Sequence, residues 1–351
     1  MTGRKLRVAV IGAGWYAAEN HIPTLARRSE VVLDGVCRLG ADELERVRSH
    51  FGFAFASQDY REVLARKPQA VIVASPHALH YEHARAALEA GAHVLCEKPM
   101  TLDPVEAWDL VAHAEQLGRH LLIANGFNYL PHLEKVRAWL AEGEIGAIEQ
   151  VSCQFSSATR PVFSGEVGFE RWRRAFFRPS RSTWQDPEGG GGFAYGQLSH
   201  SAALMFWITG LRAVEVSARS FPRVGIDLYD AAIIGFDNGA IGSFYGGASV
   251  PEGGRARLRL SIGGEKGIID LDIDLDRCVM HLEGRKARRL SVKSGEWSYS
   301  CVGPVDALVD LARGKGVNRS PAEVGAKTVE LIAALQRSAR TGGEKLRVGE
   351  R

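Results

Sequence analysis

A glutamate and a lysine, Glu97 and Lys98, stand together at the end of an apolar run that begins at Val94. A buried strand gains nothing from two adjacent charges unless they reach a place where charge is used. A lysine partly withdrawn from water loses some preference for its charged form, which suits it to polarise a hydroxyl or to accept its proton. Pro99 follows and restrains the backbone beside the lysine. The stretch therefore predicts that these two charges reach a functional site.

A second motif, GAGWYA, has the spacing of a dinucleotide-binding turn, with Gly12, Gly14 and Ala17 at the expected positions. The first glycine permits a tight turn, the second lets the backbone approach a pyrophosphate, and the small third residue lets the next helix pack closely. The helix N-terminus adds amide donors for the anion. We therefore predict a dinucleotide site, in which Trp15 and Tyr16 are further cofactor contacts.

The choice between NAD and NADP depends on the end of the second strand, where NAD-binding folds place an acidic residue for the ribose 2′-hydroxyl. Arg38 occupies that place, and Asp34 lies too early in the strand to replace the acid. An arginine cannot accept that hydrogen bond but can neutralise a 2′-phosphate. The pattern favours NADP and leaves NAD open, because Arg38 could instead lie over the adenine or point to solvent.

The elements that must position these residues alternate between apolar strands and helical patterns. Strands are predicted over 6–11, 31–37, 70–74, 92–96 and 121–124, and helices over 15–28, 41–51, 60–66, 79–90 and 105–117. This alternation predicts an N-terminal Rossmann domain, an α/β fold with a doubly wound parallel sheet. Ligands bind outside the carboxyl ends of such strands, so Glu97 and Lys98 should face a bound nicotinamide.

Beyond about residue 125 the pattern changes to strands that follow one another directly. They are predicted over 148–155, 213–221, 231–236, 240–246, 257–262 and 267–273, with a final helix over 322–340. We predict domains over 1–124 and 125–351, the second an α+β domain with a large, mostly antiparallel sheet. The final helix could pack back on the first domain.

The composition excludes several classes of protein. A net charge of +3 on 351 residues gives no electrostatic case for nucleic acid. The five cysteines are scattered, which argues against a disulfide framework and for a reducing, cytoplasmic setting. No apolar stretch reaches the roughly 18 residues that a membrane-spanning helix needs. The histidines have no metal-ligand spacing, so no metal is predicted.

The motifs together resemble the Gfo/Idh/MocA oxidoreductases, the group of glucose-fructose oxidoreductase and inositol dehydrogenase. The resemblance rests on GAGWYA followed by His21 and Pro23, on the stretch from Val71 to Met100 that ends in EKPM, and on GEIG at 143–146. It implies a nicotinamide-dependent enzyme that acts on a secondary alcohol or ketone of a sugar, cyclitol or related polyol. It also implies that Lys98 contacts the reacting oxygen. In this family the second domain's open-faced sheet pairs across subunits, so a homodimer or homotetramer is expected.

The resemblance extends the predicted cofactor site and supplies a second catalytic segment. Ser75, Pro76, His77 and His80, together with Glu97, are expected to line the cofactor cleft, although either histidine could equally be a packing residue.

In the second segment, four glycines at 189–192 precede a helix that carries His200, which can take or return a proton. The aspartate usual in the family is replaced by Gly196. Gln197 can orient a substrate but cannot take up a proton. Lys98, Gln197 and His200 form the predicted catalytic set.

The substrate-binding prediction adds side chains from around these two segments. Besides the catalytic set, the residues expected to contact substrate are Asn125, Tyr129, Trp184 and Tyr195. An aromatic face with nearby amides suits a sugar ring, although ordinary packing of the same loops is the alternative.

Two other functions remain open at this point. One is an enzyme that retains its cofactor and uses transient oxidation for elimination or epimerisation. The other is an inactive NAD(P)-binding regulatory protein, which the missing aspartate makes conceivable.

Overall fold

The computed structural model describes residues 5–164, 175–178, 181–223 and 225–350. The chain divides into two compact units. The first unit takes the described residues up to Gly126, those within 168–183, and 300–326. The second unit takes the described residues within 127–167, 184–299 and from 327 onward. The predicted division placed everything after residue 124 in the second domain, so it differs from this one in the two later segments.

The first unit is built on a six-stranded sheet in the order β3-β2-β1-β4-β5-β6, and every pairing is parallel. Its strands are β1 Leu6–Ile11, β2 Val31–Cys37, β3 Phe55–Ser57, β4 Ala70–Val73, β5 His93–Cys96 and β6 Leu121–Ile123. The fold-class prediction of a Rossmann sheet is confirmed. Strand β3 was not predicted, because three residues are too few to form a recognisable alternation.

Helical elements lie between these strands, and two of them begin at side-chain caps. These elements include the π-helical turn Ala17–His21, α1 Ile22–Ala26, α2 Ala41–Phe51, α3 Tyr60–Ala65, α4 His80–Glu89 and α5 Pro104–Gln116. Asp59 and Asp103 accept from backbone N–H groups at the N-termini of α3 and α5, and Pro104 takes the first position of α5. Gly52 ends α2 in the left-handed conformation.

A late segment of the chain completes the first unit. Helix α10, Val302–Ala312, adds Val305 and Leu308 to the hydrophobic core that contains Leu95 and Leu122. Beyond it the backbone N–H of Ile123 donates to the carbonyl of Ser320 at 2.9 Å. The parallel sheet therefore obtains part of its cover from residues almost two hundred positions after β6.

The second unit contains a nine-stranded sheet in the order β14-β13-β12-β11-β7-β10-β9-β8-β15. Its strands are β7 Ile148–Ser156, β8 Ala213–Arg223, β9 Ile226–Phe236, β10 Ile241–Gly247, β11 Arg257–Gly264, β12 Gly267–Asp272, β13 Arg277–Leu282, β14 Arg288–Arg289 and β15 Leu346–Arg347. All neighbours are antiparallel except β7 and β10. The predicted, mostly antiparallel sheet is thus confirmed.

One face of this sheet packs on helix α9, and the other leaves apolar side chains exposed. The remaining helices are α6 Leu133–Ala141, α7 Arg160–Ser164, α8 Arg181–Gln185, α9 Ser199–Thr209 and α11 Ala322–Arg340. Helix α9 is buried along its whole length, and Cys153 of β7 contacts the carbonyl of Ser201. On the exposed side, Phe221, Ile233 and Ile241 are 61%, 68% and 61% accessible.

The final helix, α11, has the predicted bounds, and its residues up to Ala326 belong to the first unit. A Cβ added at Gly325 would lie 2.7 Å from Cγ1 of Ile123 and 2.9 Å from Sδ of Met100, so this turn packs tightly there.

Three absences apply to the described part of the chain. All five cysteines are buried free thiols. No helix there is long and apolar enough to cross a membrane. The same residues contain no group of three or more acidic, histidine or cysteine side chains placed to hold a metal ion.

Candidate active site

The Gly-rich turn follows β1 at the carboxyl edge of the parallel sheet. Gly12 has φ +85°, and a Cβ on it would lie 2.2 Å from the backbone nitrogen of Ser75, so only glycine fits. At Gly14 a Cβ would meet only the carbonyl oxygen of Gly12, at 3.9 Å. Packing within the protein therefore requires the first glycine but not the second. The room at Gly14 fits the close approach of a pyrophosphate to the backbone.

Lys98 and Glu97 lie at the same edge, directly after β5, and both are buried with 7% accessibility. The Glu97 carboxylate contacts Nε2 of His21 at 2.7 Å through Oε1, and Oε2 accepts from the backbone N–H of Lys98 at 3.1 Å. Burial lowers the pKa of the Lys98 ammonium below its ordinary value, although Glu97 and the Cys301 thiol oppose the shift.

The pKa of Glu97 moves in the opposite sense to the one that burial alone would give. Burial raises this pKa, but the hydrogen bond to His21 and the nearby charge of Lys98 outweigh burial, so the net shift is downward. The negative charge of Glu97 therefore lies beside the lysine and favours the charged form of its ammonium group.

Two residues that the sequence analysis did not place in the site belong to the lysine's surroundings. His21 is fully buried against Glu97. Cys301 acts electrostatically on Lys98, and its Sγ lies 2.8 Å from the hydroxyl of Tyr16. The position of His21 near the Gly-rich turn could have placed it in the site from the sequence. Cys301 had no such sign, because it lies about two hundred residues after the lysine.

The loop after β4 lies between the Gly-rich turn and the lysine. It contains Ser75, Pro76 and His77, and all three were predicted to contact cofactor. Ser75 and His77 are buried, and the Ser75 hydroxyl contacts Nδ1 of His83 at 2.9 Å. Pro76 precedes the short 3₁₀ turn His77–Leu79.

His80 is fully buried, and its two ring nitrogens contact the carbonyls of Ser75 at 2.8 Å and Pro99 at 2.7 Å. These contacts join the loop after β4 to the loop after β5. The cofactor contact of His80 stays a prediction.

Arg38 directly follows β2, beside the Gly-rich turn. Its guanidinium donates to the carbonyl of Ala13 at 3.2 Å and lies 4.0 Å above the Phe177 ring. Burial lowers its pKa, with Glu43 opposing the shift. Asp34 is paired with Arg7 and Arg66, both at 2.9 Å, so its carboxylate is engaged away from the end of the strand.

Asn125, predicted to contact substrate, lies at the end of the first unit. Its side chain is buried and donates to the Ser320 hydroxyl at 3.0 Å. Its Oδ1 accepts no hydrogen bond from the described residues, so one acceptor of this amide remains for another group.

In the second unit, the Gly-rich segment 189–198 leads into α9. Gly190 and Gly192 have φ +78° and +98°, and Ala194–Leu198 forms a π-helical turn. Tyr195 and Gln197 of this turn are partly exposed.

His200, the second residue of α9, is 6% accessible. Its imidazole is surrounded by the rings of Phe127, Phe155 and Tyr299 at centroid distances of 5.9, 6.3 and 5.2 Å. Tyr299 was not predicted; it is 37% exposed and offers an aromatic surface beside the histidine.

The position of the family aspartate, Gly196, has no room for a side chain. A Cβ there would lie 2.8 Å from the Phe163 ring and 3.6 Å from the Trp184 ring. Trp184 packs edge-on against Phe163 at 5.8 Å, so these two rings fill the space that the carboxylate would need. Tyr129, in the 3₁₀ turn Gly126–Tyr129, is partly exposed.

The structure thus groups the predicted residues into two sets. In the first unit, the Gly-rich turn, the loop after β4, Arg38 and Glu97–Lys98 meet at one edge of the parallel sheet. In the second unit, Tyr195, Gln197, His200 and Trp184 belong to the Gly-rich segment or the residues next to it. A Gly-rich turn at the carboxyl edge of a parallel sheet, with a buried lysine at the same edge, fits a dinucleotide-binding oxidoreductase.

The chain belongs to the Gfo/Idh/MocA family. Residues 6–125 match the oxidoreductase family with an NAD-binding Rossmann fold, and residues 133–270 match the GFO/IDH/MocA C-terminal domain. The two matched regions together cover more than half of the chain, so the resemblance drawn from the motifs is confirmed.

Several named proteins are similar to this chain. D-glucoside 3-dehydrogenase of Escherichia coli (strain K12) is 27% identical over 97% of this chain and 97% of its own. The scyllo-inositol 2-dehydrogenase (NADP(+)) IolU of Bacillus subtilis (strain 168) is 30% identical over 46% of this chain and 50% of its own. The structure of a levoglucosan dehydrogenase in complex with NADH and levoglucosan has a TM-score of 0.77 and 18% identity, and covers 99% of this chain and 100% of that one. The last comparison supports the fold alone.

Proposed function

We propose that this oxidoreductase transfers hydride between a nicotinamide cofactor and a secondary alcohol or ketone of a sugar, cyclitol or related polyol. The observation that carries the proposal is the buried Lys98, with its lowered pKa, at the sheet edge that also bears the Gly-rich turn. The names of the two relatives, a glucoside dehydrogenase and an inositol dehydrogenase, support this substrate class. The partly exposed Tyr299 beside His200 provides an aromatic surface suited to a sugar ring.

The residues of the first unit suit both the binding and the chemistry. Gly12 shapes the turn, and Gly14 leaves room for the pyrophosphate. The bound nicotinamide would supply or accept the hydride. Lys98, whose pKa burial lowers, would take the proton from a substrate hydroxyl when the amine is neutral, or polarise the carbonyl in the reverse direction. Glu97 keeps the lysine oriented through its backbone N–H.

The second unit would supply the remaining contacts. His200 is the other group that can exchange a proton near neutral pH, and its surrounding aromatic rings exclude water from it. Gln197 would orient a substrate hydroxyl by hydrogen bonding. Because Phe163 and Trp184 fill the space at Gly196, no carboxylate can reach the histidine from that position.

A substrate screen tests this function. The purified protein is mixed with NAD or NADP and a panel of glucosides, inositols and other polyols, and reduction of the cofactor is followed by its absorbance. Oxidation of a member of this class is the expected result. A cofactor that copurifies and does not exchange, with product formed but no net reduction, would instead favour elimination or epimerisation through transient oxidation. Cofactor binding without turnover across the panel would contradict the proposal.

We also propose that the enzyme prefers NADP. Arg38 stands at the end of β2, where its guanidinium can meet a 2′-phosphate, and Phe177 and the Ala13 carbonyl hold it there. A charge-assisted contact contributes about 1.5–3 kcal/mol, so we expect Arg38→Asp to weaken NADP binding by roughly 10- to 100-fold. NAD binding should weaken much less, which calorimetric titration with both cofactors can measure.

Arg46 provides the matched control, since it stacks 4.3 Å over the neighbouring Phe176 but lies on α2. Arg46→Asp should leave the ratio of NADP to NAD affinity unchanged. If Arg38→Asp leaves NADP affinity at the wild-type value, the guanidinium does not select the cofactor.

A homo-oligomer that pairs through the nine-stranded sheet is proposed as the working assembly. The exposed Phe221, Ile233 and Ile241 give that face an apolar character. We expect light scattering to show a dimer or tetramer, and Ile233→Lys to shift the protein toward smaller species. A monomeric wild-type protein at micromolar concentration would contradict this assembly.

A further inference from the structure

Two buried carboxyl groups, Asp227 and Asp230, lie on β9 close to the Gly-rich segment. Their accessibilities are 8% and 3%. Residues three apart on a regular strand face opposite sides of a sheet. Here the register shifts, because Pro222 pairs with Asp227 while Phe221 pairs with Tyr229. The extra residue in β9 brings the two carboxyl groups to one side.

Asp227 holds the beginning of the turn that carries Gln197. Its Oδ2 accepts a hydrogen bond from the backbone N–H of Ala194 at 2.6 Å. A Cβ at Gly192 would lie 2.2 Å from Oδ1 of the same carboxylate, so only glycine fits at this position. The carboxylate therefore fixes the path of the Gly-rich segment at Ala194, five residues before α9 begins at Ser199.

Asp230 explains how the buried carboxylate of Asp227 can keep its negative charge. Its Oδ1 accepts from the Ser220 hydroxyl, whereas its buried Oδ2 accepts no hydrogen bond from the described residues. The two buried carboxyl groups are close enough to act on each other directly. Two carboxylates so placed repel each other and have no donor between them, so one of them keeps a proton. Burial, and then the charge of Asp227, raise the pKa of Asp230 well above 3.8, which identifies it as the protonated partner.

The other groups near the pair do not replace that proton. Gly246 of β10 pairs with Asp230 and brings no side chain. Arg160 of α7 directs its guanidinium to the hydroxyl of Tyr229. Among the described residues, the groups that act on the Asp230 carboxyl are Asp227 and the Ser220 hydroxyl, and neither is a cation.

We propose that Asp227 and Asp230 form a carboxyl pair that shares one proton and positions the Gly-rich segment carrying Gln197 and His200. The pair on β9 would then hold the Gly-rich segment in place. Position 196 of that segment has no room for a carboxylate of its own. Asp227 is thus a positioning residue, and Asp230 is the donor that stabilises the negative charge of Asp227.

The proton makes a specific prediction about stability. Asp230→Asn keeps a donor toward Asp227 at every pH, whereas the wild-type protein must keep a proton that the unfolded chain loses above pH 3.8. The wild-type protein should therefore lose stability relative to Asp230→Asn as the pH rises from that value to the folded pKa. We expect the ratio of their unfolding constants to grow by up to tenfold per pH unit in urea titrations of the full chain. A ratio that stays constant with pH would overturn the proposal.

Infrared spectroscopy gives an independent measurement that needs no stable variant. Just above the pH range in which ordinary carboxyl groups lose their protons, the wild-type protein should still show the carbonyl band of a protonated carboxyl group. Asp230→Asn should lack that band if it folds. Absence of a protonated-carboxyl band from the wild-type protein would exclude the shared proton, whatever the behaviour of the variant.

The positioning role is tested by activity, and this arm rests on the proposed function. Asp227→Ala should lower kcat about tenfold or more with unchanged cofactor affinity, because displacement of a positioned group is costly. Asp227→Asn retains an acceptor for the Ala194 N–H and should recover most of the rate. Equal losses in both variants, or an unchanged kcat in Asp227→Ala, would overturn the positioning role. If the wild-type enzyme oxidises no sugar or cyclitol, the proposed function fails while the unfolding and infrared results still decide the proton pair.

Discussion

Replacing Lys98 by methionine should lower kcat/KM by about 10²- to 10⁴-fold, the usual contribution of a group that transfers a proton to or from the reacting atom. Methionine keeps most of the side-chain length and removes the amine. Since the Gly-rich turn is separate from this side chain, cofactor affinity should stay within a few-fold of wild type. Steady-state kinetics on a substrate from the panel, with cofactor affinity from fluorescence titration, measures both quantities.

The pH dependence provides a second reading of the same variant. Neutral lysine is the form that accepts a proton, so the wild-type oxidation rate should rise with pH through an apparent pKa below 10.5. That rise should be absent from Lys98→Met. Lys135→Met, on the exposed side of α6, is the control and should behave as wild type. A variant at position 98 that retained more than a third of kcat/KM would remove the lysine from the reaction.

Gly12→Ala and Gly14→Ala should fail in different ways. At Gly12 the added methyl would overlap the backbone of Ser75, and φ +85° is unfavourable for alanine. We expect a loss of about 3 kcal/mol of unfolding free energy. At Gly14 the space is open, so stability without cofactor should change by less than about 0.5 kcal/mol, while cofactor binding weakens more than roughly tenfold.

Urea unfolding without cofactor and calorimetric titration with NADP separate these two effects. Each variant serves as the control for the other, since both place the same methyl group on one turn. Cofactor affinity at the wild-type value in Gly14→Ala would mean that the dinucleotide does not approach the backbone there. Wild-type stability in Gly12→Ala would contradict the close packing of the turn on Ser75.

The sequence predicted best what local spacing encodes. The parallel sheet, the Gly-rich turn and the place of Lys98 follow from strand and helix periods and from glycine positions, which are short-range properties. The helix caps Asp59 and Asp103 of the structure are local features of the same kind, because each lies directly before the helix that it caps. Strand β3 was missed because its three residues are fewer than a periodic pattern requires.

The sequence could not predict contacts between distant segments. Cys301 beside Tyr16, Ser320 beside Asn125, and the rings of Phe163 and Trp184 over Gly196 each join residues with no local sign of their partner. The carboxyl pair on β9 depends on a one-residue shift of register, which alternation of polar and apolar residues does not reveal.

Helix α10 also bears on the order in which the protein is made. While a ribosome is still adding residues of the second unit, the nascent first unit has its six strands but lacks the late segment that covers Leu95 and Leu122. That apolar surface stays uncovered until the codons beyond about position 312 have been read. A gene fragment cut at codon 124 would therefore encode a Rossmann sheet with an exposed apolar face. The nascent chain would need chaperones or rapid folding to keep that face from aggregating.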